Sequence, residues 1–497
     1  MTVTRAPQVS LRSADRFFIG GEWVRPSSGS HFEVINPTTE EPLFRIAEAK
    51  ADDMSRAVSA ARHAFDRGPW PRLSHRERAD YLRAFAAEIR ARGADLATVH
   101  TSEMGVIQSI ARTMIPRTAA AYEYYADLAE TFRFVESHEP SDGVGAGYLV
   151  REPVGVVGAI VAWNGPLSQI TYKMAPAFLA GCTVVLKPSP ESPGEACIMA
   201  EIAEDIGLPP GVLNVVTADR EVSELLVRDP RVDKITFTGS TAAGRRIAAI
   251  LGERIGRYTL ELGGKSAAVV LDDYDIETAA SVLARQACSL TGQVCSSLTR
   301  IVVGRSRHDE MVEALSSRFA SVRIGDPFDP STAMGPLATA RQRDRVEGYI
   351  VKGVAEGATL AAGGRRPAQR DRGFFIEPTV FAGVDNSSTI AQEEIFGPVT
   401  SVIPADDEEQ AIEIANATKY GLASAVFTND LDHAYRVARQ LRAGSVGHNS
   451  SRSDFAIAFG GFKQSGIGRE GGTEGLLPYL ETKTVLLAGA PTTLRDL

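Results

Sequence analysis

The sequence predicts an α/β protein: two doubly wound parallel-sheet domains plus a small β element. Three observations carry this. Short apolar runs without polar alternation, such as "VGVVGAIVA" and "TVVLKP", read as strands buried on both faces. Helical stretches separate them at the spacing of strand–helix–strand units. The alternation also occurs twice, once from residue 154 onward and again after Cys295.

Taken in order, the first dozen residues read as a loose polar tail. Residues 51 to 131 are helical, with alanine, leucine and phenylalanine at three- and four-residue intervals and Asp or Ser near the starts. Glycine, proline and alternating apolar residues in "FRFVESHEPSDGVGAGYLVREPVG" predict a β-hairpin. The first α/β series has the strands "VGVVGAIVA", "TVVLKP", "VLNVVT", "KITFTG" and "SAAVVL", with helices such as "GEACIMAEIAEDIG" and "TAAGRRIAAILGERIG" between them. The second has "LTRIVVG", "PVTSVIPA", "SAVFTN" and "GSVGHN", with helices such as "DEEQAIEIANATKYG". Two such series imply a cleft between two domains, a common place for a cofactor. The expected division is 1–131 with 152–261 for dinucleotide binding, 262–476 for catalysis, and 132–151 with 477–497 for oligomerisation.

Bulk properties narrow the function. At 497 residues the chain has room for roughly three domains. A net charge of −9 argues against a nucleic-acid partner, which calls for a basic field. Four cysteines are too few for a disulfide scaffold and point to a reducing compartment. Neither C-x-x-C nor H-E-x-x-H spacing occurs, so no metal site is expected. The start lacks the apolar core of a signal peptide, and no run approaches the ~18 apolar residues of a membrane span. A cytoplasmic enzyme is the expectation.

Single motifs leave two readings open. "FTGSTAAG" lacks the G-x-G-x-x-G spacing, yet a strand ending at Gly239-Ser240 before a helix offers backbone N–H groups to an anion. As an ordinary turn it would simply use Ser240 or Thr241 as N-cap. "ELGGKSA" is not a P-loop, because Thr259 stands where the first glycine belongs. Glu261 is either a solvated strand end or a general base. Asn164, in "AWNGPL", is either a turn former or an oxyanion donor. Cys295 follows Gly292 on a loop, whereas Cys182, Cys197 and Cys288 lie in apolar segments. Its thiolate would be the nucleophile, and no histidine comes with a motif that would make it the partner.

Eight blocks in register remove the ambiguity: "AWNGPL", "VVLKPSPE", "FTGSTAAG", "LELGGKS", "GQVCSS", "EEIFGPV", "FGGFKQSGIGREGG" and "YLETKTV". Together they resemble the NAD(P)-dependent aldehyde dehydrogenase superfamily over about residues 17 to 487. The resemblance implies oxidation of an aldehyde to its acid with NAD, NADP being possible. It implies Cys295 as nucleophile, Asn164 as oxyanion donor and Glu261 as the base that activates water for thioester hydrolysis. Lys173 and Glu481 would form an outward proton relay. Lys187 would hold the adenosine ribose, and Gly239 with Ser240 the pyrophosphate. Glu394 and Phe396 would hold the nicotinamide side, and Ile160, Val161, Trp163, Ser189, Leu262 and Gly263 would complete the cofactor site. Gly165, Tyr172, Val294, Ser296, Arg452, Asp454 and Phe459 are the implied substrate contacts.

The chain departs from the family pattern at three points. Pro190 stands where many NAD-preferring members have a glutamate, and Glu191 comes one position late. Ala162 and Gly165 replace a proline and an aromatic residue, which should widen the substrate pocket. Arg452 and Asp454 occupy a substrate loop that is often apolar, favouring a bulky or partly polar aldehyde over acetaldehyde. The 132–151 hairpin and "LETKTVLLAG" resemble oligomerisation elements, and exposed strands must be paired or covered. A homodimer or homotetramer is expected, with a small-molecule aldehyde as partner and neither nucleic acid nor membrane. The rival readings are a coenzyme A-acylating dehydrogenase, disfavoured by Glu261, a cysteine esterase, disfavoured by the missing histidine, and a catalytically silent binding protein.

Overall fold

The computed structural model describes residues 11–494, so residues 1–10 of the expected tail and 495–497 of the expected oligomerisation element lie outside it. The last two residues of that dozen are anchored. The Arg12 backbone N–H donates to Glu201 Oε1 at 2.8 Å, and its guanidinium forks onto Asp205 at 2.7 and 2.8 Å.

Two large sheets organise the chain. The first has eight strands in the order Gly466–Ile467, Arg257–Glu261, Lys234–Thr238, Val156–Ile160, Thr183–Lys187, Leu213–Val215, Phe17–Ile19 and Glu22–Val24. Its five central strands are parallel and its flanking strands antiparallel. The second has seven, in the order Thr359–Ala362, Thr379–Ala382, Val399–Ala405, Leu298–Gly304, Ser266–Val270, Ala423–Phe427 and Ser445–His448. All its pairings are parallel except the one at the Thr359–Ala362 edge. A small antiparallel sheet joins Leu480–Leu487, Ala146–Pro153 and Val135–His138.

Pairing departs from the sequence reading at two places. "SAAVVL", grouped with the first series of strands although the expected 262–476 division contains it, is central in the second sheet, at Ser266–Val270. Gly466–Ile467, inside the stretch expected to be catalytic, pairs antiparallel with Arg257–Glu261 in the first sheet. Both strands are short and carry no sheet label of their own; the neighbour each finds decides its membership. The N-terminal strands Phe17–Ile19 and Glu22–Val24 are three residues each, below what alternation can reveal.

Helix ends follow local chemistry. Ser74 and Glu77 form a reciprocal capping box on His75–Ala91. Pro166 opens Pro166–Ala180, and Gly181 closes it at φ +98°. Within the first sheet the chain order reverses on either side of Val156–Ile160, which lies between Lys234–Thr238 and Thr183–Lys187. The crevice outside the carboxyl ends of strands at such a switch point is where open α/β sheets bind ligands. The carboxyl ends here are Ile160, Lys187, Thr238 and Glu261.

Candidate active site

Beyond Ile160 the chain turns through Val161, Ala162 and Trp163 to Asn164 and Gly165, then enters helix Pro166–Ala180. Asn164 is buried and held from two sides. Its Nδ2 donates to the Gln293 carbonyl at 2.9 Å, and its Oδ1 accepts from Gln169 Nε2 at 2.9 Å. Gln169 is fixed in turn by accepting from the Ala162 N–H at 2.7 Å. One N–H of the Asn164 amide is thus spent, and the other is available to an incoming oxygen.

Gln293 belongs to the loop that carries Cys295. After helix Ile276–Cys288 a tight turn puts Leu290, Thr291 and Gly292 in succession at φ 48°, 54° and 72°. Left-handed backbone at a β-branched residue is costly and persists only where surroundings impose it. Here the Thr291 hydroxyl donates to the Gly335 carbonyl at 3.1 Å, and Gln293 Oε1 accepts from the Ala338 N–H at 3.0 Å. A Cβ on Gly292 would fall 2.3 Å from the Gly397 carbonyl carbon, so only glycine fits. The turn delivers Cys295 half-buried, between half-buried Val294 and Ser296, while Cys182, Cys197 and Cys288 are buried in the core. Desolvation pushes the Cys295 thiol up to about 12, and the Glu394 and Glu261 carboxylates add to this. A thiol in that state needs a base.

Glu261 ends strand Arg257–Glu261, 3% exposed, and neither carboxylate oxygen has a hydrogen-bond partner. Burial raises its pKa well above the usual carboxylate range, the nearby Glu470 raises it further, and Lys173 and Arg469 oppose the rise. Leu262 leads into Gly263, where a Cβ would lie 2.2 Å from Glu394 Oε2. This close approach lets the Gly264 N–H donate to Glu394 Oε1 at 3.1 Å. Glu394 is itself pushed up to about 7 by burial. Phe396, at φ 63°, meets the Trp163 ring edge-on at 5.3 Å, and the Gln342 side chain holds its carbonyl at 2.7 Å.

The expected Lys173–Glu481 relay is not formed. Lys173, fully buried, donates to Glu470 Oε1 at 2.6 Å and to Thr238 Oγ1 at 2.6 Å. Glu481 lies on the small sheet, half exposed, and accepts from Arg257 at 2.5 Å. Glu470 is the carboxylate the sequence reading missed, although it stands in the quoted block "GIGREGG". Its backbone exchanges hydrogen bonds with Phe459 at 2.6 and 2.8 Å, which fixes it beneath the site.

A cavity of about 730 Å³ opens beside helix Thr241–Glu253, within the usual range for a cofactor site. Ile160, Phe237, Ala243, Ile247 and Ile250 give it an apolar slot, and Lys187 and Glu191 sit on its wall. Of these, the sequence reading named Ile160 and Lys187; Ala243, Ile247 and Ile250 sit at four- and three-residue intervals that mark one helix face. Gly239 precedes the helix, and Ser240 caps it by accepting from the Ala243 N–H at 3.2 Å. The helix start and the slot fit a dinucleotide, phosphates at the amino end and a flat ring in the slot. Lys187 is lowered to about 8 by burial, with Glu191 the leading opposing charge. Ser189 donates to Glu191 Oε2, and Arg341 donates to its Oε1 at 2.9 Å, so the late-arriving carboxylate still reaches this cavity.

Of the expected substrate residues, Tyr172 and Phe459 come together, with ring centroids 6.2 Å apart, and Phe455 packs on Tyr172 at 4.4 Å. Nothing lies within 4 Å of a Cβ placed on Gly165, which leaves open space beside Asn164. Arg452 and Asp454 are exposed, and Asp454 Oδ1 accepts from the Ala456 N–H at 2.8 Å to shape its own turn.

Residues 23–485 match the model of the aldehyde dehydrogenase family. Geranial dehydrogenase from Castellaniella defragrans is 44% identical over 474 residues, covering 95% of this chain and 98% of that protein. A 3-succinoylsemialdehyde-pyridine dehydrogenase from a Pseudomonas species is 41% identical, covering 96% and 99%. Among solved structures, an aldehyde dehydrogenase of Mycobacterium tuberculosis complexed with NAD+ superposes with a TM-score of 0.94 at 45% identity, covering 96% and 99%. An aldehyde dehydrogenase C mutant from Pseudomonas syringae, with NAD+ and octanal, does so at 0.93 and 40%, covering 97% and 99%.

Proposed function

The chain belongs to the aldehyde dehydrogenase family and oxidises an aldehyde with NAD; from that premise we propose how its own residues divide the work. Glu261 takes the Cys295 thiol proton as the sulfur attacks the aldehyde carbon, and the oxyanion of the resulting thiohemiacetal is received by the Asn164 amide and the Cys295 backbone N–H. Held in the cavity beside helix Thr241–Glu253, NAD would supply the acceptor for the hydride lost by the substrate carbon. The cysteine is left as a thioester, which water cleaves to the acid while Glu261 takes the water proton. The observation that carries this is a buried Glu261 whose oxygens have no partner and whose charge is felt by Cys295 and is itself shifted by Lys173 and Glu470. A carboxylate with a raised pKa is a base suited to neutral pH.

Lys173 and Glu470 pass the proton away from Glu261, and they also set when Glu261 ionises. Removing the Glu470 charge makes a Glu261 carboxylate easier to form; removing the Lys173 charge makes it harder. The expected result is that Glu470→Gln moves the acid limb of the kcat profile to lower pH and Lys173→Met moves it to higher pH. Each variant loses ~10-fold or more in the plateau rate, as for a positioned proton carrier. Limbs that stay in place in both would remove the pair from the proton path.

The substrate we propose is a medium-length or branched apolar aldehyde. Its tail would lie against Tyr172, Phe455 and Phe459 and use the space at Gly165. Relatives named for geranial and crystallised with octanal support this reading. Glu191 on the cavity wall opposes a 2′-phosphate and favours NAD over NADP. A panel from acetaldehyde to octanal and citral, run with both nucleotides, tests both points. We expect kcat/KM to rise at least ~10-fold along the series, since each buried methylene contributes about 0.8 kcal/mol. A flat series, or a preference for NADP, would overturn the corresponding reading.

The small sheet leaves Leu486, Leu487 and Val144 exposed along its edge and tip, so the assembly we propose pairs this element between chains as a homodimer or homotetramer. Light scattering that returns the monomer mass would end that proposal. Among the described residues no helix is long and apolar enough to cross a membrane; the reduced cysteines fit a cytoplasmic setting, which cell fractionation checks.

A further inference from the structure

A second, much smaller cleft lies in the seven-stranded sheet, on the far side of the Gly263–Gly264 turn. The centre of a water-sized sphere can range over only about 10 Å³ within it, so it admits a single small guest. Lys265, Arg300 and Arg442 line it, and no aspartate or glutamate does. Lys265 is 2% exposed, and its ammonium has no hydrogen-bond partner; the neighbouring Ser266 hydroxyl is likewise buried and unpartnered. Arg300 is 1% exposed, and the acceptors of its guanidinium are all neutral. They are the carbonyls of Lys265, Ile414 and Ala415 and the Asn386 side chain. Lys463 adds a fourth cation nearby, bonded to the carbonyls of Asn416 and Thr418, and it feels the charges of Arg442 and Arg300.

Positive charge in a buried pocket is costly unless it is paired. The carboxylates that act on Lys265 from a distance are Glu394 and Glu393. Both are engaged elsewhere, Glu394 with the Gly264 N–H and Glu393 with the Tyr349 hydroxyl at 2.7 Å. Burial lowers the Lys265 pKa to about 7, and the Arg300 charge lowers it further, as expected of an ammonium without its counter-ion. We propose that this cleft is a binding site for one chloride-sized inorganic anion, held by the Lys265 ammonium and the Ser266 hydroxyl and admitted past the exposed Arg442.

Occupancy bears on the catalytic turn. The Gly421 N–H, on the cleft wall, donates to Ser465 Oγ at 2.9 Å, and Ser465 Oγ donates to the Gly263 carbonyl at 2.7 Å. Lys265 directly follows Gly264, so an anion held by Lys265 would restrain the same segment that sets Glu261 and Glu394.

The test uses the full-length protein. Crystals soaked in bromide, with data at the bromine absorption edge, should show an anomalous peak within hydrogen-bond reach of Lys265 Nζ and Ser266 Oγ. The thermal midpoint should rise with the logarithm of chloride concentration, relative to gluconate at equal ionic strength, as ligand linkage requires. Lys265→Met should weaken chloride binding at least ~10-fold, the loss expected for a charged hydrogen bond. Should that variant fail to fold, Arg442→Gln, altered only at the exposed mouth, should still flatten the chloride dependence. A water-filled cleft without anomalous signal, or equal midpoints in chloride and gluconate, overturns the proposal. So does a bromide peak whose removal in these variants leaves the chloride dependence unchanged, meaning an adventitious ion only.

Discussion

Alanine at Cys295 is expected to reduce aldehyde-dependent NADH formation by at least ~10⁴-fold, the scale seen when a nucleophile is removed from an otherwise intact site. The sulfur is the one atom of the site that forms and breaks bonds to the substrate carbon, and water cannot replace it in the hydride-transfer step. The variant should still fold, because Cys295 sits on a half-buried loop and its truncation opens no core cavity. Nucleotide binding, followed by quenching of tryptophan fluorescence, should be retained. Cys288→Ala is the control: that thiol is buried in the core, pushed up to about 12 by desolvation, and its loss should leave turnover unchanged. Turnover surviving in the Cys295 variant would refute the nucleophile assignment.

The second large effect is expected at Glu261. Glutamine there keeps size and burial but removes the base, so thioester hydrolysis should slow by ~10²–10⁴-fold. Acylation should slow less, because a second carboxylate, Glu394, lies within electrostatic reach of the thiol and is held at about 7, near the working range for a base. Rapid-quench kinetics should therefore show a burst of close to one NADH per active site followed by a slow steady state. Intact mass spectrometry should show the acyl adduct on Cys295. The wild-type deacylation rate should fall as pH drops through the raised Glu261 pKa, since protonation removes the base. In the glutamine variant that limb should vanish. A rapid steady state without adduct would sink the base assignment. The same trace separates the rivals: a coenzyme A-acylating enzyme would need thiol to clear the adduct in the wild type, and an esterase would cleave esters with no dependence on nucleotide.

Much of the site was legible because its chemistry is local. Gly292 before Cys295, Gly263–Gly264 after Glu261 and Gly165–Pro166 after Asn164 mark turns in short quoted motifs, although what excludes a side chain at Gly292 and Gly263 is the distant backbone of Gly397 and the Glu394 carboxylate. The same short segments carry the functional side chains, so motif and geometry coincide. Arg452 and Asp454 show the limit of that logic. They sit in a recognisable loop, yet they are exposed, and the loop meets Tyr172 with Phe455 and Phe459 instead.

The sequence by itself determined the α/β character, because apolar runs are properties of neighbouring residues, and Cys295, Asn164 and Glu261 were singled out only through the eight blocks in register that resemble the family. Only the tertiary structure decided which carboxylate meets Lys173 and which sheet takes Gly466–Ile467. Lys173 and Glu470 are 297 residues apart and leave no local trace of their contact. Glu470 reaches Lys173 because Gly466–Ile467 docks against Arg257–Glu261 and carries the following turn back beneath the site. Glu481, eleven residues further on, is carried away by pairing with Ala146–Pro153, where Arg257 takes its charge. Strand partnership, a choice among edges distant in sequence, sets which charges are buried together.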